Sequence, residues 1–158
     1  MDKRYPPQYI VLVEDHYDQA ELIRTHLELA FADARVERIR TELDFRSRIP
    51  NLAVKRPDVI ILDVMLKWTD PSPDLEEPPD DVKDEGFHRA GIRCADLLFT
   101  YPETRDIPII LYTVLELTDL PDYLSQGRSN VVHLLKESQI EPLIDAIRTL
   151  LDGAKVRG

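Results

Sequence analysis

Five stretches of the chain have the apolar spacing of strands, and helical stripes separate them. Tyr9-Ile10-Val11-Leu12-Val13 is continuous and β-branched, which predicts a strand buried on both faces; it ends in the acidic pair Glu14-Asp15. Ala20, Ile23, Leu27 and Ala30 then recur at intervals of three and four, one apolar stripe on a helix from about Asp18 to Phe31. Arg35-Val36-Glu37-Arg38-Ile39 alternates charged and apolar residues, as an edge strand with one solvated face should. A weaker helical pattern from Leu43 to Ala53 contains Pro50, which predicts a short or kinked helix. Val59-Ile60-Ile61-Leu62 runs into Asp63, Ile107 to Tyr112 into Thr113, and Val131-Val132-His133-Leu134-Leu135 into Lys136, all with the composition of interior parallel strands. Helical patterns occupy Phe87 to Phe99 and, more weakly, Leu115 to Ser125. Ile140, Leu143, Ile144, Ile147, Leu150 and Leu151 form a closing amphipathic helix.

Strand and helix therefore alternate five times. The fold class that follows is α/β, a doubly wound five-stranded parallel sheet with helices on both faces, right-handed crossovers, and a crevice beyond the carboxyl ends of the strands. The alternating strand near Val36 belongs at an edge and the apolar first strand inside, which gives the order 2-1-3-4-5. A length of 158 residues fits one domain, so residues 1–158 read as a single unit with no separate output domain.

Composition narrows the classes. With 43% hydrophobic and 32% charged residues, the chain reads as an ordinary soluble globular protein. No apolar stretch reaches membrane-spanning length, and the polar, proline-containing start from Met1 to Gln8 lacks the pattern of a secretory leader, so a cytoplasmic location is expected. The formal net charge of -10 opposes direct nucleic-acid binding. The single cysteine, Cys94, excludes an internal disulfide and a multi-cysteine metal site, and reads as a small buried residue in a helix. His16, His26 and His88 show no metal-ligand spacing.

One segment has a character of its own. From Lys67 to Glu85 the chain holds Pro71, Pro73, Pro78 and Pro79 with eight acidic residues against two lysines, a net -6 of the chain's -10. A connection longer than about 12 to 15 residues is either a solvated insertion or a functional element, here a docking surface or a lid beside the third strand.

The strands' carboxyl ends carry Glu14, Asp15, Asp63, Thr113 and Lys136, which the fold class directs into one crevice. Three crowded carboxylates repel unless a hard divalent cation or an ammonium sits among them. Magnesium suits such oxygen ligands and commonly pairs one or two carboxylates with a phosphate. The lysine and the hydroxyl would then bind the other oxygens of a phosphoryl group, leaving one carboxylate as nucleophile.

This pattern resembles the receiver domains of two-component response regulators: Val13-Glu14-Asp15 after the first strand, Ile61-Leu62-Asp63-Val64-Met65 at the third, Leu111-Tyr112-Thr113 at the fourth and Leu134-Leu135-Lys136 at the fifth. The match covers nearly the whole chain, with the acidic segment as the main departure. It implies a flavodoxin-like sheet with Asp63 as phosphoacceptor. Glu14, Asp15, Asp63 and the main-chain carbonyl of Met65 would hold Mg2+, and Thr113 and Lys136 would contact the phosphoryl group. The implied partners are a sensor histidine kinase or histidine phosphotransfer protein, an unidentified downstream protein and a second copy in a homodimer, with neither nucleic acid nor membrane involved.

Four positions depart from the family pattern. Lys67 and Glu137 stand where prolines are usual, Val114 where a small residue is usual, and His133 at the switch position where an aromatic usually moves inward. They motivate an alternative, a receiver-like interaction module that binds partners without phosphorylation. A conventional enzyme is not expected. Only 5 glycines are present, with no dinucleotide or phosphate-loop fingerprint, and Met65 stands where a haloacid-dehalogenase-like phosphatase would need a second aspartate. Any catalysis would be confined to the domain's own phosphorylation and dephosphorylation.

Overall fold

The computed structural model describes residues 7–71, 73, 77–116 and 130–156, with side chains through residue 152. Five parallel strands form one sheet in the order β2-β1-β3-β4-β5, with β1 at Tyr9–Val13, β2 at Arg35–Ile39, β3 at Val59–Leu62, β4 at Ile109–Thr113 and β5 at Val131–Leu135. The sheet is the doubly wound, flavodoxin-like arrangement that the alternating pattern predicts. Its register aligns Val13 with both Ile39 and Leu62, Leu62 with Leu111, and Thr113 with Leu135, so β1, β2 and β3 end side by side and β4 and β5 end together two residues further on.

Each strand feeds two cores because successive side chains point to opposite faces. Val11, Val13, Ile60, Leu62, Ile109 and Leu111 face one core, which α2 (Glu42–Val54) closes with Phe45, Ile49 and Leu52 and α4 (Ala90–Thr100) closes with Ile92, Ala95 and Leu98. Ile10, Leu12, Val59, Ile61, Ile110 and Tyr112 face the other, covered by Ala20, Ile23 and Leu27 of α1 (Tyr17–Ala30) and by Leu143, Ile147 and Leu150 of α5 (Glu141–Val156). At about 25 cal/mol per Å2 of apolar surface removed from water, these two layers supply the main stabilising term. No helix is long and apolar enough to cross a membrane.

Three boundaries differ from the sequence pattern. α2 runs unbroken through Pro50 for 13 residues rather than stopping short. Pro50 is exposed, and its missing N–H costs only one helical bond while Phe45, Ile49 and Leu52 anchor the helix on both sides of it. The helix expected from Phe87 starts with a 3-10 turn at Phe87–Arg89 and becomes α-helical at Ala90. The acidic segment is not all loop, since Asp80–Glu85 form a short helix, α3, whose first-turn Asp80 and Asp81 complement the helix dipole. It ends at Gly86, whose φ of 82° is one that side-chain-bearing residues rarely adopt. Most of the helix expected at Leu115 to Ser125 lies outside the described residues, as do Asp74 and Glu76.

Candidate functional site

The carboxyl edge of the sheet gathers the polar residues that end its strands. Glu14 follows β1, and its N–H donates to the Ile39 carbonyl of β2; Asp63 follows β3, and its N–H donates to the Val13 carbonyl of β1. Lys136 follows β5, its N–H donating to the Thr113 carbonyl of β4 at 2.8 Å. These strand-to-strand bonds carry the sheet register one residue beyond its ends and fix where each side chain starts.

Lys136 is the hub. Its ammonium donates to Glu14 Oε2 at 2.7 Å, Asp63 Oδ2 at 2.8 Å and Gln19 Oε1 at 2.8 Å, which uses all three N–H donors. Glu14 and Asp63 are only 2% and 6% exposed, so both carboxylates are largely out of water. Burial, followed by the neighbouring Asp63 charge, pushes the Glu14 carboxyl up to about 7 even though Lys136 pulls the other way. Burial alone would depress the Lys136 ammonium, but Asp63 and Glu14 outweigh it and hold it above its usual value. The Tyr112 ring lies beneath the ammonium, 5.8 Å from it.

The other predicted residues are arranged around this hub. Asp63 Oδ1 accepts the Met65 N–H at 3.2 Å, and Glu14 Oε1 accepts the His16 N–H at 3.1 Å. Thr113 is fully buried at the end of β4, and its hydroxyl oxygen accepts the Leu115 N–H at 3.3 Å. Asp15 is turned toward the β3 loop, where Oδ2 accepts the Lys67 N–H at 3.0 Å. Proline at position 67 could not make that bond, so Lys67 supplies a donor that the usual family residue lacks. His133 sits on β5 with Nε2 3.2 Å from the Leu115 carbonyl, and Val114 is about half exposed beside Thr113.

Two residues at this edge escaped the sequence reading. Gln19 is a polar residue on an exposed helix face and carries no pattern signal. Gly91 did carry one, a glycine inside an apolar helical run. A Cβ at position 91 would lie 2.2 Å from the Asp63 carbonyl oxygen and 2.6 Å from the Val64 Cα. Only glycine lets α4 approach the end of β3 so closely.

The donor set is all oxygen, which suits a hard cation rather than a soft one. Among the described residues no three His, Cys, Asp or Glu side chains gather into a ready-made cage. Magnesium does not require one, since it keeps several waters and takes one or two carboxylates together with phosphate oxygens. The buried Glu14 and Asp63, balanced by one ammonium, fit that mode.

No protein-family model matches the chain, and no curated protein matches it. Solved structures do. The signal receiver domain of a signal transduction histidine kinase from Syntrophus aciditrophicus is 27% identical, with a TM-score of 0.64 over 94% of this chain and 92% of that one. The receiver domain of a sensor histidine kinase from Pseudomonas aeruginosa, with a magnesium ion coordinated in its active-site cleft, is 21% identical, with a TM-score of 0.62 over 92% and 98%. A phosphorylated cyanobacterial phytochrome response regulator is 18% identical, with a TM-score of 0.62 over 90% of each chain.

Proposed function

Because this chain has the receiver-domain fold, we propose that it is a phosphoacceptor signalling receiver, a single module that takes a phosphoryl group on Asp63 from a histidine-phosphorylated kinase or phosphotransfer protein. The observation that carries this reading is the Lys136 ammonium held between Asp63 and Glu14 at 2.8 and 2.7 Å. An oxygen of the Asp63 carboxylate attacks phosphorus, the donor's P–N bond breaks, and the leaving imidazole takes a proton from solvent. Lys136 places a fixed positive charge beside the oxygens where negative charge builds up, and the Thr113 hydroxyl supplies a hydrogen bond to them. Glu14, Asp15, Asp63 and the main-chain carbonyl of Met65 would hold Mg2+, which when bound neutralises charge on the phosphoryl oxygens.

The output is a contact with another protein, in the cytoplasm, and His133 on β5 is the residue through which the change at Asp63 would reach the surface. Incubation with magnesium and acetyl phosphate or phosphoramidate should add one phosphoryl group by intact mass. No addition is expected with Asp63→Asn or without magnesium. An unmodified wild-type protein with both donors would overturn the reading.

A further inference from the structure

Gln19 has no part in the roles assigned above, yet it completes the coordination of the residue at their centre. It lies in the first turn of α1, one turn beyond Asp15, and its backbone N–H is held by His16 Nδ1 at 3.4 Å, which caps the helix. That cap fixes the start of its side chain, and Oε1 accepts the third Lys136 N–H at 2.8 Å. The other two N–H groups are taken by carboxylates on the strand side. The Gln19 amide oxygen closes the triad from the helix side.

We propose that Gln19 is a positioning residue for phosphoryl transfer, holding the Lys136 ammonium over Asp63 so that its charge is already in place when the phosphoryl group arrives. The inference rests on the receiver reading and deepens it. A lysine has four rotatable bonds and gives up much rotamer freedom when its ammonium is fixed. Two carboxylates alone leave the third N–H to water and leave the ammonium free to pivot about the line between them. A neutral oxygen suits this third position. It accepts the N–H without adding another negative charge to a crevice that already holds Glu14, Asp15 and Asp63. Because Gln19 acts through Lys136 and touches no phosphoryl oxygen itself, its loss should lower the maximal transfer rate and leave the donor concentration at half-maximal rate unchanged.

The test compares wild type, Gln19→Leu and Gln19→Glu with acetyl phosphate and saturating magnesium, following uptake and loss of the phosphoryl group by intact mass. Gln19→Leu should slow both steps by about three- to tenfold, the range that the net worth of one ordinary hydrogen bond converts to, because the loss falls on the placing of Lys136 and not on a contact to the phosphoryl group. Its melting temperature should match wild type. Gln19→Glu, which keeps the acceptor but adds the charge that a neutral oxygen avoids, should be faster than Gln19→Leu and slower than wild type. In 15N-lysine-labelled protein, the Lys136 ammonium protons should exchange with water faster in Gln19→Leu than in wild type. Rates within twofold of wild type, or an unchanged ammonium signal, would overturn the proposal while leaving the receiver reading intact. A wild-type protein that takes up no phosphoryl group would remove the receiver reading and this role together.

Discussion

At the scale of single residues, the site is governed by what burial does to charge. Glu14 carries its proton to about pH 7 in the folded protein because burial and the adjacent Asp63 disfavour ionisation. In the unfolded chain the same group ionises near 4.5. Below that pH both states are protonated and the contribution to stability is fully present. Between about 4.5 and 7 the unfolded state ionises first, so stability falls as pH rises, by something on the order of 3 kcal/mol. Urea titrations across this range without divalent cation should show that fall in wild type and its absence in Glu14→Gln. Parallel pH profiles for the two proteins would refute the assignment. Glu14, Asp63, Thr113 and Lys136 were legible because each ends an apolar run, and strand ends converge whatever lies between them. Gln19 was not legible, since its role depends on a lysine 117 positions away.

At the scale of elements, the acidic segment shows how tertiary contacts create structure that the local sequence does not announce. α3 is only six residues long and follows Pro78-Pro79, and no isolated helix of that length is stable in water. Ion pairs hold it. Arg46 of α2 donates to Asp81 of α3 at 3.0 Å and to Glu42 at 2.8 Å, and it lies over the Trp68 ring. Glu42 is fully buried and takes two hydrogen bonds from Arg93 of α4, at 2.9 and 2.6 Å. The Glu42 and Leu43 N–H groups also bind the Lys67 and Trp68 carbonyls, which joins this charged cluster to the loop that contacts Asp15. Removing Arg93 strips the buried Glu42 carboxylate of two of its three charged hydrogen bonds and leaves it only Arg46. Arg93→Met is therefore expected to cost about 3–5 kcal/mol in urea denaturation. Asp81→Asn, at a half-exposed position, should cost under about 1 kcal/mol. Equal losses for the two would show that the cluster is not a buried network. Pro50 teaches the same lesson in reverse: its local penalty is real, but three core side chains of α2 override it.

At the scale of the whole molecule, the legible part was the sheet. Runs such as Val59-Ile60-Ile61-Leu62 are apolar on both faces because each face meets a helix layer, and that is visible without knowing the partners. Folding also assembles the site, so a ligand of the site should stabilise the whole. If magnesium binds only the folded form, a concentration one hundred times its dissociation constant adds about 2.7 kcal/mol. Thermal melts should move upward with magnesium in wild type and much less in Asp63→Asn, with sodium chloride matched for ionic strength. An equal shift in both would locate the cation elsewhere. The parallel sheet also has a consequence in time. No two neighbouring strands are joined by a hairpin, and the Glu14–Lys136 bond spans 122 residues. At ribosomal speeds of about 5 to 20 residues per second, roughly 6 to 25 s separate the synthesis of the two. During that interval the nascent chain has the Glu14 carboxylate, joined partway through by Asp63, but not the ammonium that sits between them. The charge balance of the crevice is therefore complete only with the last strand, so on the proposed reading no phosphoryl group is taken up before translation of the sheet has finished.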